Sequence, residues 1–235
     1  LRGKSTTRHP GLTAIEKEGK KDHRFICAPA VMDRVMQRVL YLVLMALFIE
    51  DLPGCYYGCV WGRSQHQAVV ELLNAFNYSD YDTVISADVV DCFPSLQPDQ
   101  VLKHLRRRIQ SDWFLSAVND ALTSRPHPAR IRQVMKQLQD ERTLTRRDRA
   151  SLTQLGSKRR GILQGSPISP LGALLCLEPM VRAITNIPNT RCFAYVDDLV
   201  VLTRAECKSE VVQVMTTQAR RLGLKIKKVP KAETL

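Results

Sequence analysis

The residues best able to do chemistry are three aspartates set among apolar runs. Asp197 and Asp198 stand side by side between Phe193-Ala194-Tyr195-Val196 and Leu199-Val200-Val201-Leu202. Both flanks favour buried strand. The pattern reads as a hairpin with the acid pair at its tip, although Asp-Asp is not the usual turn dipeptide. Asp88 stands near the end of a further such run, Thr83-Val84-Ile85-Ser86-Ala87-Asp88-Val89-Val90. Adjacent carboxylates repel, so a cation must neutralise them or one must hold a proton. If the strands are neighbours, three carboxylates meet at one edge of a sheet. Hard oxygen ligands there suit a pair of magnesium ions serving in-line phosphoryl transfer. Taken alone, Asp197 and Asp198 are accounted for equally well by an exposed polar turn.

The elements that must position these acids alternate between strand and helix. A short strand over 24–29 ends at Pro29. Val31, Val35, Val39, Leu42, Met45 and Ala46 recur at helical spacing, so 32–48 is expected to be an amphipathic helix with those residues inward. Asp51-Leu52-Pro53-Gly54 breaks it, and a glycine-punctuated loop over 56–64 follows. A helix over 65–77 starts from Ser64 as N-cap. Further helices are expected over 100–110, 113–122, 171–183 and 209–222, the last ended by Gly223. Residues 224–229 mostly alternate apolar with basic, as a half-buried strand would.

The chain has 235 residues and is 44% hydrophobic, enough to bury a sizeable core. Its 35 Lys and Arg against 23 Asp and Glu give a net charge of +12. Such a balance points to a polyanionic partner, nucleic acid before an acidic membrane surface. Two regions concentrate it. Residues 1–22 read as a basic N-terminal arm, and 125–160 as an irregular basic insertion around a short helix marked by Ile131, Val134, Met135 and Leu138. The seven cysteines form no CxxC pair, which argues against zinc and for a reducing, cytoplasmic setting. The longest apolar run, 39–49, is too short to span a bilayer, and no signal-peptide pattern is present, so no membrane partner is expected.

Three motifs in order carry a family resemblance. Phe193-Ala194-Tyr195-Val196-Asp197-Asp198 resembles the YxDD motif of reverse transcriptases. Ala87-Asp88-Val89-Val90-Asp91-Cys92-Phe93 resembles their first catalytic motif, an acid followed five residues on by an aromatic. Leu163-Gln164-Gly165-Ser166-Pro167-Ile168-Ser169-Pro170-Leu171 is similar to the PQG…SP loop of the bacterial, group II intron-like lineage. Tyr57-Gly58 with Gly62-Arg63-Ser64 resembles that lineage's YGFRPGRS block, and 24–29 with Asp33-Arg34 and Gln37 its fingers motif. There are departures: Leu163 replaces the usual proline, and Cys59-Val60-Trp61 replaces Phe-Arg-Pro. The basic stretch before Gly161 is also longer than the family pattern.

The resemblance implies roles. Asp88, Asp197 and Asp198 would be the catalytic acids and, with the Val89 carbonyl, would ligate two Mg2+ ions, with Mn2+ a substitute. Phe93 would lie under the sugar and exclude a 2′-hydroxyl. Gln164 would contact the incoming nucleotide, and Arg24 with Lys21 would clamp its triphosphate. Lys231 would donate a proton to pyrophosphate. Arg63 would touch template backbone or organise the fingers, and Tyr195 and Val196 would meet nucleic acid.

The expected fold is therefore α+β, the fingers and palm of a right-hand polymerase, with an antiparallel ferredoxin-like palm sheet packed on helices and no thumb. Its parts are the arm 1–22, fingers 23–82, a first palm segment 83–124, the insertion 125–160 and a second palm segment 161–235. The expected partners are an RNA template, a DNA or RNA primer and deoxynucleoside triphosphates. The chain begins at Leu1 and no helical thumb follows Leu235, so a piece of a longer protein is expected, with thumb, maturase or CRISPR integrase parts fused or associated. Intron, CRISPR-adaptation and defence contexts stay open. Two rival functions remain: a module that only binds nucleic acid or organises partners, and an RNA-dependent RNA polymerase, against which Phe93 argues.

Overall fold

In the computed structural model, residues 8–156 and 161–227 are described. Strands β1 (Gly11–Glu16) and β2 (His23–Ala28) precede helices α1 (Val31–Phe48) and α2 (Gln65–Tyr78). Strand β3 (Thr83–Asp88) leads to α3 (Cys92–Ser95), α4 (Pro98–Leu105), α5 (Asp112–Thr123), α6 (Pro128–Asp140) and α7 (Arg146–Leu155). Helix α8 (Ser169–Thr185), strands β4 (Thr190–Tyr195) and β5 (Asp198–Thr203), and helix α9 (Lys208–Arg221) complete the order. The chain divides into two compact units. One holds the described residues of Leu1–Val43 and Phe93–Gly172, the other those of Leu44–Cys92 and Ala173–Leu235. Among the described residues no helix is long and apolar enough to cross a membrane, and none of the seven cysteines is disulfide-bonded.

The first unit is built on the antiparallel β1–β2 hairpin, paired from Gly11↔Ala28 to Glu16↔His23. This corrects the expectation of a basic arm over its described part: 11–16 is a strand, because Leu12 seats in a core with Phe25, Cys27, Ile131, Val134, Leu138, Leu152 and Leu163. The same core bears out the short helix expected within 125–160, which is α6, and corrects the reading of its surroundings as irregular. That stretch contains two capped helices, α6 and α7, whose buried residues fall at helical spacing while their arginines face outward. Thr145 and Asp148 form a reciprocal capping box at the start of α7. Asp148 also accepts the His23 backbone N–H at 2.8 Å and lies 2.9 Å from His23 Nδ1, tying hairpin to helix. Burial pushes the Asp148 carboxyl up, but the bonds from His23 and Thr145 outweigh it and hold it below the usual carboxylate range.

Helix α1 forms as expected and buries Met45, but otherwise it buries another face. Val31, Val35, Val39 and Leu42 are exposed, whereas Leu40, Tyr41, Leu44, Met45 and Phe48 are buried. The helix is apolar around most of its circumference, so spacing alone did not select the inward side. Buried Gln37 is satisfied by Ser166, whose hydroxyl donates to its Oε1 at 2.8 Å. Helix α4 stops at Leu105, short of the expected 110. Of the expected strand at 224–229, the described part makes one bridge, Val89↔Ile226.

The second unit is organised by a three-stranded antiparallel sheet in the order β3-β5-β4. One face carries Ile85, Ala87, Leu199 and Val201, all buried. On the other face α2 packs over Phe193, Leu202, Val84 and Val200 through Ala68, Leu72 and Ala75. That cover reaches only the end of the sheet away from the β4–β5 turn.

The Asp148 anchor gives a stability test for the first unit. Asp148→Ala strands buried donors and is expected to cost about 2–4 kcal/mol. Because the folded carboxyl titrates below its unfolded value, its stabilisation is present above the unfolded pKa and is lost as pH falls through the folded one. Thermal unfolding between pH 6 and pH 3 should therefore narrow the gap between wild type and Asp148→Ala. A gap that stays constant across that range would refute the assignment.

Candidate active site

The open end of the second unit's sheet is where the acids collect. Asp88 ends β3, Asp198 begins β5 and Tyr195 ends β4; Asp88 pairs with Asp198, and Asp198 with Tyr195, so the three stand in one row. Their shared face is the one α2 covers only at its far end. Tyr195 remains 42% exposed, and the Asp88 side chain 46%. Val196 and Asp197 form the two-residue turn. The turn is thus Val-Asp rather than Asp-Asp, and Asp198 belongs to the ladder.

Electrostatics mark the row. Burial first, and the facing Asp88 carboxylate second, push the Asp198 carboxyl above its usual range, while Lys227 pulls it partly back. The buried Cys92 thiol is also raised, by burial and then by Asp197 among the nearby groups, with Asp88 a smaller contributor. Both acids therefore lie within electrostatic reach of one buried sulfur. The donor set, carboxylate oxygens held against one another's charge, fits hard divalent cations. Among the described residues no three His, Cys, Asp or Glu side chains close a metal cage. An open carboxylate edge suits magnesium, which takes one or two protein carboxylates and completes its shell with substrate phosphates and water.

The turn has an unusual backbone. Val196 has φ +58°, a left-handed conformation that a β-branched residue adopts only under constraint, at a cost of about 1–3 kcal/mol. The constraint comes from the segment 55–58 running beside β4. Tyr56 bridges Ala194 in parallel. Tyr57 N–H donates to the Ala194 carbonyl at 2.8 Å, and Ala194 N–H donates to the Cys55 carbonyl at 2.8 Å. Gly58 then abuts the turn: a Cβ there would lie 2.8 Å from the Val196 nitrogen and 3.1 Å from the Tyr195 carbonyl carbon. Arg63 closes this loop, its Nη1 donating to the carbonyls of Pro53 at 2.8 Å, Gly54 at 3.2 Å and Tyr56 at 2.8 Å.

Other expected site residues lie in the first unit. Arg24 is exposed on β2, and Lys21 is exposed in the β1–β2 turn. Gln164 adjoins β2, its carbonyl accepting the Cys27 N–H at 2.7 Å. The next residue, Gly165, has φ +106°, and a Cβ there would lie 2.8 Å from the Cys27 carbonyl oxygen. Phe93 is half-buried, and its carbonyl accepts Ile162 N–H at 2.8 Å. Lys231 lies outside the described residues.

Two site residues escaped sequence reasoning. Gly58 was read only as part of a block, although glycine punctuation hinted at a close approach. Lys227 was read as the polar side of a strand, yet its Nζ lies 3.5 Å from Asp88 Oδ2.

Comparison with known proteins follows the same lines. A family model described as reverse transcriptase (RNA-dependent DNA polymerase) matches residues 15–229. No curated relative matches. Among solved structures, apo telomerase from Candida tropicalis, truncated from the C-terminal domain, aligns with TM-score 0.60 at 11% identity, over 100% of this chain and 52% of that one. Telomerase from Candida albicans, in complex with a TWJ fragment of telomeric RNA, aligns with TM-score 0.54 at 15% identity, over 93% and 40%. The chain thus spans about half or less of these proteins, and at such identities the likeness is one of fold: fingers and palm of a polymerase.

The close approach at Gly58 is testable without any assay of function. Gly58→Ala is expected to lower stability by about 1–3 kcal/mol, since backbone rather than a flexible side chain must shift. Gly54→Ala in the same loop, where a Cβ would meet nothing within 4 Å, should stay within about 0.5 kcal/mol of wild type. Denaturant melts giving equal effects for the two would refute the role assigned to Gly58.

Proposed function

The chain belongs to the reverse transcriptase (RNA-dependent DNA polymerase) family, and on that premise we propose that it extends a primer 3′-hydroxyl with deoxynucleotides on an RNA template. The observation that carries this is the row of Asp88 and Asp198 on paired strands, with Asp197 in the adjoining turn, at a sheet end left open to solvent. The telomerases share that fold, and one of them is seen with RNA. The motif set favours the group II intron-like lineage, with fingers at 23–82 and palm at 83–124 and 161–235.

Asp88, Asp197 and Asp198, with the Val89 carbonyl, would hold two Mg2+ ions. When bound, such ions lower the pKa of an attacking hydroxyl and take up charge on attacking and leaving oxygens. The chain's own contribution is positional. The β3–β5 register fixes the spacing of Asp88 and Asp198, and the strained turn fixes Asp197 beside them. Tyr195, exposed in the same row, and Val196 in the turn would meet nucleic acid. Arg24 and Lys21 would hold triphosphate oxygens, Arg24 by its planar fork. Gln164 would contact the nucleotide from a loop whose backbone is tied to β2. Phe93 would exclude a 2′-hydroxyl, and Lys231 would protonate the leaving pyrophosphate. The net charge of +12 favours binding of both strands.

Primer extension on poly(rA)/oligo(dT) with Mg2+ tests the proposal. Wild type should synthesise DNA, and the double variant Asp197→Ala, Asp198→Ala should lose on the order of 10³-fold in rate. A silent wild type whose tight RNA binding survives the double substitution would instead identify a binding module. Phe93→Ala should admit ribonucleotides; unchanged sugar discrimination would remove Phe93 from the sugar site.

A further inference from the structure

We infer that Lys227 is a built-in counter-ion of the acid row, occupying Asp88 when no divalent cation is bound and competing with that cation for it. The inference rests on the reading of Asp88 as a metal ligand. Its own basis is the placement of Lys227. Residues 225–227 run antiparallel to 88–90: Lys227 N–H donates to the Asp88 carbonyl at 2.9 Å, and Val90 N–H donates to the Lys225 carbonyl at 2.8 Å. Ile226 bridges Val89 between them. The backbone of Lys227 is therefore pinned beside Asp88, and its ammonium reaches Asp88 Oδ2 at 3.5 Å. This is a consequence of register, not a chance encounter of two long side chains.

The geometry also sets the strength of the competition. The Lys227 side chain is 63% exposed and that of Asp88 46%, so the pair is screened and weak. A lysine stem has four rotatable carbons and can withdraw to water without disturbing the strand. The Lys227 ammonium thus relieves only part of the Asp88–Asp198 repulsion in the resting protein. It is loose enough to yield to a doubly charged ion. Lys227 is a positioning residue here: it acts on the occupancy of the acids and takes no part in bond making.

Mn2+ alone is the probe, titrated at low ionic strength and followed by loss of the free-ion electron paramagnetic resonance signal. Lys227→Met should bind Mn2+ roughly two- to fivefold more tightly than wild type, the range set by a weak exposed ion pair. Lys227→Arg, which keeps the charge, should stay near the wild-type affinity, separating loss of charge from disturbance of the strand. Asp88→Asn should bind Mn2+ more weakly than wild type. An unchanged or weaker affinity in Lys227→Met, with Asp88→Asn impaired, would overturn this inference alone. Equal binding by Asp88→Asn and wild type would overturn the metal-site reading and the inference with it.

Discussion

Two like charges facing each other across a β-ladder are the constraint on which the second unit turns. Cross-strand carboxylates destabilise a pair of strands, and here Asp88 and Asp198 are held opposite by six consecutive register pairs between β3 and β5. Apolar burial on the opposite face supplies the compensation. Ile85, Ala87, Leu199 and Val201 are each almost wholly excluded from water, and slipping the register by one residue would turn them outward. The core thus enforces an electrostatically unfavourable arrangement at the sheet's open end. That is the condition under which a site seeks cations.

The same logic extends outward from the ladder. β4 and β3 are the edge strands of the sheet, and each is met near its acid-row end by a short segment that does something else as well. Residues 55–58 cover β4 and press Gly58 against the Val196–Asp197 turn. Residues 225–227 extend the pairing at the end of β3 and bring an ammonium to Asp88. Edge protection and preparation of the site are here achieved by the same backbone hydrogen bonds. Arg63 belongs to this scheme, because its three carbonyl contacts hold the loop from which Gly58 is presented.

How much of this was legible in the sequence depended on whether the signal was local. The hairpin was, since two apolar runs around adjacent acids leave few other readings. Asp88 was too, as an acid near the end of a β-favouring run. The buried face of α1 was not, because valines, leucines and methionines surround the helix on nearly every side. Nor was β1, where Leu12 is the one deeply buried side chain in Gly11–Glu16. The helix marked by Ile131, Val134 and Leu138 was legible as α6, but the density of arginines concealed α7, where Leu152 is the one apolar side chain buried. Gly58 and Lys227 were illegible for a different reason. Their importance lies in which residues they face, Val196 and Asp88, and pairing across such separations leaves no mark in a local window.

The order of strands carries a kinetic consequence. β3 is made early, but its partner β5 lies beyond the whole 93–172 segment of the other unit. Closing so long a loop costs entropy before any ladder bond repays it. Emerging from a ribosome, β3 must wait, its pairing edge unfilled, while the intervening helices α4 to α7 are synthesised. Those helices make local contacts and can form first. The acid row is then among the last features of the chain to assemble, so a nascent or truncated product lacks it even where much of its secondary structure is in place.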